Sequence, residues 1–203
     1  MRVLVPGCLL ILATAAFAEA ADRDKPIQVE ANAGNFNDLK QIGVFTGDVR
    51  VTKGTLRVTG ARLDLRRDPE GYEHAVVIAS PGQLATFRQR RDPSKPGIEE
   101  IVEGSAERIE YDGKAESVKL VSRAALRRLE NAEQRDELRG SVITYDSRTT
   151  VYNVEGDKSG AAGGDGRVRA IIAPRNNSGS EATPAKDEGA SLKPAPSVEV
   201  PKK

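Results

Sequence analysis

The chain has 203 residues and sets 31 basic against 30 acidic groups, a near-neutral balance that argues against a nucleic-acid binder working by phosphate neutralisation. Aromatic residues make up 4% and tryptophan is absent, which is poor material for base-stacking platforms or sugar sites. A single cysteine and a single histidine leave no disulfide framework and no common zinc site.

Residues 1–20 carry the marks of a secretory signal. Arg2 gives a positive start, Leu9, Leu10, Ile11, Leu12 and Ala13 an apolar middle, and Ala16, Phe17 and Ala18 an A-x-A cleavage site, with Ala18, Glu19 and Ala20 as the neighbouring alternative. The apolar middle is short of the roughly 20 residues that span a bilayer. A lipoprotein reading through Cys8 fails, because the apolar stretch follows that cysteine. Cleavage removes Cys8, so the exported domain must stand on its core and its sheet hydrogen bonds.

Residues 21–174 are patterned throughout as strands. Ile27 and Val29 open with period two after Pro26. The run at 45–65, FTGDVRVTKGTLRVTGARLDL, then alternates strictly. Val49, Val51, Leu56, Val58, Leu63 and Leu65 fall in one phase of their strands, and Arg50, Thr52, Arg57, Thr59, Arg62 and Asp64 in the other, so each strand has one apolar and one charged face. Gly54 and Gly60 are each followed by a change of phase, as where one short strand stops and the next begins. A β-branched run at 75–79 ends in the turn Ser80, Pro81, Gly82. Leu84 to Phe87 follow, and residues 88–97 read as a charged, proline-containing exposed loop.

The segments beginning at Gly60, Gly104 and Gly140 echo one another, placing Leu63/Leu65, Ile109/Tyr111 and Ile143/Tyr145 two apart. Their spacings are unequal, which suits stacked hairpins better than a strict repeat. Residues 123–139, RAALRRLENAEQRDELR, are by local propensity helical, with a charged hairpin as the alternative. The glycines at 160–166 read as a connection before a last strand at 167–173, and residues 175–203, rich in Pro, Ala, Ser and Lys, as a disordered tail.

Chemistry is hard to find. His74 reads as a solvated loop residue. The carboxylates Glu99, Glu100, Glu107, Glu110, Asp112 and Asp146 alternate with apolar residues, which is the solvated face of a strand rather than a glycosidase pair. Phe45, Phe87, Tyr111 and Tyr145 sit in the apolar phase, in either a closed core or a curved sheet folded over a greasy interior, closed or half open. An interior not filled by its own side chains is a ready lipid site.

The segments PIQVE at 26–30, FTGDVRVTKGTL at 45–56, PGQLATF at 81–87, GSAERIEYD at 104–112, GSVITYD at 140–146 and RVRAIIAP at 167–174 resemble, in this order, the OstA-like (LptA) family of periplasmic lipopolysaccharide transport proteins. The F-T-G-x-V-x-V-x-x-G-T run is the most specific of them. The resemblance implies an all-β fold, a partly open, twisted antiparallel jellyroll, with no catalytic activity and no cofactor. It implies a periplasmic carrier that shields lipopolysaccharide acyl chains in a hydrophobic groove between the inner and outer membranes. The partners it implies are lipopolysaccharide, an LptC-like member of the inner-membrane export complex, an LptD-like member of the outer-membrane translocon, and further copies stacked head to tail through residues 27–30 and 167–173. An alternative is an adaptor of the same system that conducts no lipid itself.

Carried onto this chain, the groove includes Ile27, Val29, Phe87 and Tyr111. The face of Val49, Val51, Leu56 and Val58 and the pairs Leu63/Leu65, Ile109/Tyr111 and Ile143/Tyr145 are expected to continue it. Arg66 or Arg67 falls at a basic rim position able to meet an anionic head group. For residues 123–139 the resemblance implies a strand pair in place of a helix.

Overall fold

Alternation over long stretches produces long strands, and long strands on a small core must bend. The computed structural model describes residues 22–92, 97–157 and 166–174. One compact unit extends to Ala173; of the second, Pro174–Lys203, only Pro174 is described. The signal at 1–20, the glycine-rich stretch up to 165 and the tail at 175–203 lie outside the described residues. Twelve strands form the sheet: β1 (Ile27–Glu30), β2 (Ala33–Asn37), β3 (Ile42–Lys53), β4 (Leu56–Arg67), β5 (Glu73–Ile78), β6 (Ala85–Arg91), β7 (Glu100–Ala106), β8 (Arg108–Asp112), β9 (Ser117–Glu130), β10 (Glu133–Asp146), β11 (Val151–Glu155) and β12 (Arg169–Ile172).

The four long strands each serve two walls. In β3, residues 50–53 pair with β1 and residues 42–46 with β2. In β4, residues 57–59 pair with β6 and residues 62–67 with β5. β7 and β8 divide β9 between them, and β12 and β11 divide β10. The strands therefore stack as bent layers: β1 with β2, then β3, β4, β6 with β5, β7 with β8, β9, β10, and last β12 with β11. The front wall carries β1, β6, β7, β12 and the matching halves of the long strands; the rear wall carries β2, β5, β8, β11 and the other halves. Two routes from β4 to β9, through β6 and β7 or through β5 and β8, close a ring of six strands.

The bends line up as a spine. β3 turns at Gly47 (φ +79°) and Asp48 (φ +44°), where its register with β4 shifts; this left-handed backbone suits glycine and is tolerated by Asp. β9 turns at Ser122 and Arg123, also left-handed, and β10 at a register shift between Gly140 and Val142. Gly60 does not end a strand, as its change of phase suggested. It lies inside β4 at the bend, where a Cβ would come 2.4 Å from Val77 Cγ1. The phase changes there because the strand passes from one wall to the other.

Residues 123–139 form strand, not helix. Asn131 and Ala132, both with positive φ, make a two-residue hairpin turn between β9 and β10. Ladders to β7 and β12 on the outer sides, and Arg128 bonded to Asp136 at 2.7 Å across the hairpin, outweigh the helical propensity of Ala, Leu, Arg and Glu. Two further expectations need correction. Residues 88–91 are not loop but the end of β6, and His74 is not a solvated loop residue. It sits on β5, half-buried, with Nε2 3.4 Å from Asp68 and Nδ1 3.6 Å from Asp112. The last strand is shorter than 167–173, covering Arg169–Ile172. Between β10 and β11, the Asp146 carboxylate accepts the backbone N–H groups of Thr149 and Arg148, which holds its pKa below the ordinary carboxylate range and fixes that turn.

Candidate functional site

The inward phases of both walls meet in one continuous apolar interior. Val49, Val51, Leu56 and Val58 on the front wall, Leu63, Ile109, Ile143 and Tyr145 on the rear wall, and Phe87 on β6 are all buried in a single cluster. Ile27, Val29, Leu65 and Tyr111 are half-buried and pack against that cluster, towards the ends and mouth of the interior. The residues expected to form a groove are thus brought together. They fill the space themselves: Leu63, Phe87, Ile109, Ile143 and Tyr145 are each at most 1% exposed. The bent strand β4 carries both walls in one layer, with Val58 on one side of its bend and Leu63 on the other.

Opposite the spine, the walls end in a mouth whose inward-facing positions turn polar. Following the inward phase outward along β3 gives Val49, Val51, Lys53; along β6, Phe87, Gln89, Arg91; and along β7, Val102, Glu100. The Lys53 ammonium reaches across to Glu73 on the rear wall at 2.7 Å and lies 6.0 Å over the Tyr111 ring. Burial pushes the Tyr111 hydroxyl above its ordinary pKa, with the neighbouring Lys53 charge opposing the rise. Arg91 donates to the Tyr152 hydroxyl on the rear wall at 3.3 Å and lies 5.9 Å from the Tyr145 ring centroid. Tyr145 in turn stacks on Tyr152 with ring centroids 4.9 Å apart.

The segment before β1 crosses the same mouth. Asp22 accepts the backbone N–H of Thr55 at 2.7 Å, the Thr55 hydroxyl, and the Gln89 amide at 3.3 Å, all on the front wall. Arg23 pairs with Glu116 on the rear wall at 2.7 Å. A cavity of about 30 Å³ lies there between Asp22, Lys53, Leu56, Gln89, Tyr111 and Glu116.

Arg66 and Arg67 part company. Arg67, in the inward phase, reaches Glu73 at 3.5 Å at the rim; Arg66, in the outward phase, lines a hollow of about 450 Å³ on the outer face of the rear wall with Ile42, His74, Glu110 and Lys119. A larger hollow of about 840 Å³ lies on the outer face of the front wall, lined by Arg88, Arg127, Arg139 and Arg169 among others, with Glu103 paired to Arg88 and Arg127. The sequence reading missed Lys53, Glu73 and Arg91. The signal was present in the inward phase itself, which runs past its last apolar residue into polar and charged ones.

A profile described as "LptA/(LptD N-terminal domain) LPS transport protein" matches residues 28–151. The lipopolysaccharide export system protein LptA of Escherichia coli (strain K12) is 29% identical over 194 residues, covering 93% of this chain and 95% of the relative. LptA of Haemophilus influenzae is 25% identical, covering 85% of this chain and 91% of the relative. LptH of Pseudomonas aeruginosa is 28% identical over 138 residues, covering 68% of this chain and 73% of the relative. A crystal structure of LptH, described as the LptA-homologous periplasmic component of the lipopolysaccharide transport device of that organism, superposes with a TM-score of 0.62. It shares 23% identity and covers 75% of this chain and 99% of its own, so it speaks for the fold. The profile spans the bends, the mouth and most of the layers described above, and the chain belongs to the LptA/(LptD N-terminal domain) LPS transport protein family.

Proposed function

We propose that this protein is a periplasmic carrier of lipopolysaccharide, holding acyl chains between its two walls and passing them along a stack of like-folded domains. The observation that carries the reading is the single apolar interior, continuous from β1 to β11, with a mouth along one side. Each methylene kept from water is worth about 0.8 kcal/mol, so ten methylenes of one acyl chain represent about 8 kcal/mol that a carrier must supply by shielding. The interior fills itself when empty. Exchanging wall-to-wall contact for wall-to-acyl contact leaves both surfaces dry, so the apolar terms nearly cancel and loading needs no rigid, preformed pocket.

The two ends of the sheet favour stacking. Among the described residues β1 and β2 pair only with β3, and β11 and β12 only with β10, leaving strand edges free for pairing with another domain. Large apolar side chains collect near these ends: Phe36 on β2 is 52% exposed, and Ile171 and Ile172 on β12 are 62% and 74% exposed. The partners that fit are an LptC-like protein of the inner-membrane complex, an LptD-like protein of the outer-membrane translocon, and second copies of this chain. The adaptor alternative has no use for an interior of this continuity.

A photo-reactive amino acid at Ile27 or Val29, in the inward phase of β1, is expected to form adducts with lipopolysaccharide in cells. The same group at Gln28, in the outward phase, is expected to form none. Equal labelling at Gln28 and its neighbours, or no lipid adduct at either inward site, would count against the reading.

A further inference from the structure

The ion pairs at the mouth are distributed unequally between the walls. Glu73 is held by two cations, Lys53 of the front wall at 2.7 Å and Arg67 of its own rear wall at 3.5 Å. Lys53 has Glu73 as its single paired carboxylate among the described residues. When the walls part, Glu73 keeps Arg67 and remains neutralised, whereas Lys53 loses its paired carboxylate, the front-wall acids at the mouth being engaged already, Asp22 by Thr55 and Gln89 and Glu100 by Arg91 at 3.6 Å. The Lys53 side chain is 7% exposed in the closed state, it stands one step beyond the apolar Val51 in the same inward phase, and it faces the mouth across which an amphiphile must lie.

An uncompensated ammonium at the edge of an apolar interior is costly unless an anion replaces its partner. A neutral amphiphile supplies none; a lipid whose head group bears phosphate places that anion where the apolar interior ends. We propose that Lys53 is the specificity-determining residue of the groove, exchanging Glu73 for a lipid phosphate as the mouth opens. Glu73 is then the competitor that keeps the empty groove latched, and Arg67 the residue that lets it release Lys53. This inference rests on the carrier reading above.

The test measures binding of lipopolysaccharide, and of the same lipopolysaccharide after phosphatase treatment, to four purified proteins: the natural chain, Lys53→Gln, Lys53→Arg and Glu73→Gln. The natural protein is expected to prefer the phosphorylated lipid by roughly ten- to a hundredfold, as a hydrogen bond between charged groups gives. Lys53→Gln should bring that preference close to one while leaving affinity for the dephosphorylated lipid equal or higher, since its latch is gone. Lys53→Arg should keep the preference, and Glu73→Gln should tighten binding of the phosphorylated lipid. A merely structural role for Lys53 would lower both affinities together, and that outcome overturns the proposal, as does an undiminished preference in Lys53→Gln. If the natural protein binds neither lipid, the carrier reading itself falls.

Discussion

Phe87→Ala should lower the stability of the domain by about 3–5 kcal/mol, the range for deleting a buried aromatic ring. Phe87 is 1% exposed, lies on β6 between Val58 of β4 and Gly104 of β7, and is part of the cluster joining both walls. The space beside it is already tight: a Cβ on Gly104 would come 2.7 Å from Leu120 Cδ1 and 3.4 Å from Phe87 Cδ1. Leu120 reaches in from the rear half of β9, so removing the ring opens a void that backbone on either side cannot readily fill. Against a typical total stability of about 5–15 kcal/mol the loss is large, and the melting temperature should fall by roughly 10 °C or more. Thermal unfolding followed by circular dichroism checks this; a shift within a degree or two would mean that the interior is not packed as described. A charged residue at Phe87 would unfold the domain before it reported on lipid, so the half-buried Ile27 and Val29 are the cleaner positions.

The second large effect is expected from the smallest of substitutions. Gly140→Ala should destabilise the protein by about 1–3 kcal/mol, the usual range for overpacking a tight site. A Cβ at Gly140 would stand 2.5 Å from the carbonyl oxygen of Glu155 and 2.8 Å from Val154 Cγ1. The carbonyl is backbone and cannot rotate away, and Ser141 Oγ donates to the same oxygen at 3.0 Å. Relief requires β11 to lift from β10 at the spine, just where the register of β10 shifts. Urea unfolding should show a lower midpoint with an unchanged slope. An unaltered midpoint would contradict the close approach of these strands.

Much of this architecture was legible from the alternation of apolar and charged residues. The inward set from Val49 to Tyr145 is the set found in the interior, because a period of two reports burial directly. The three echoing glycines mark the spine or its neighbourhood for a reason that sequence alone does not give: at Gly60 and Gly140 another strand passes too close for a side chain. Alternation does not say which wall a residue joins, so β4 read as two strands although it is one strand shared between walls. Helical propensity over 123–139 misled because it counts local terms only. The hairpin is held by partners far along the chain, as where Arg127 of β9 meets Glu103 of β7. The mouth was the least legible part. Lys53 and Glu73 are 20 residues apart on different walls, and nothing local in either segment points to the other.

The central claim is that the two walls part to admit lipid, and one strand spans both of them. Arg57 and Arg66 lie towards opposite ends of β4, exposed and in outward phases, one on the front wall and one on the rear. With Cys8 the only cysteine in the chain, spin labels placed by Arg57→Cys and Arg66→Cys report the opening without interference from the interior. Pulsed electron–electron resonance on the labelled protein should give one short distance in the empty state and a longer one when lipopolysaccharide is added. A distance distribution that stays unchanged while lipopolysaccharide binds would contradict the account.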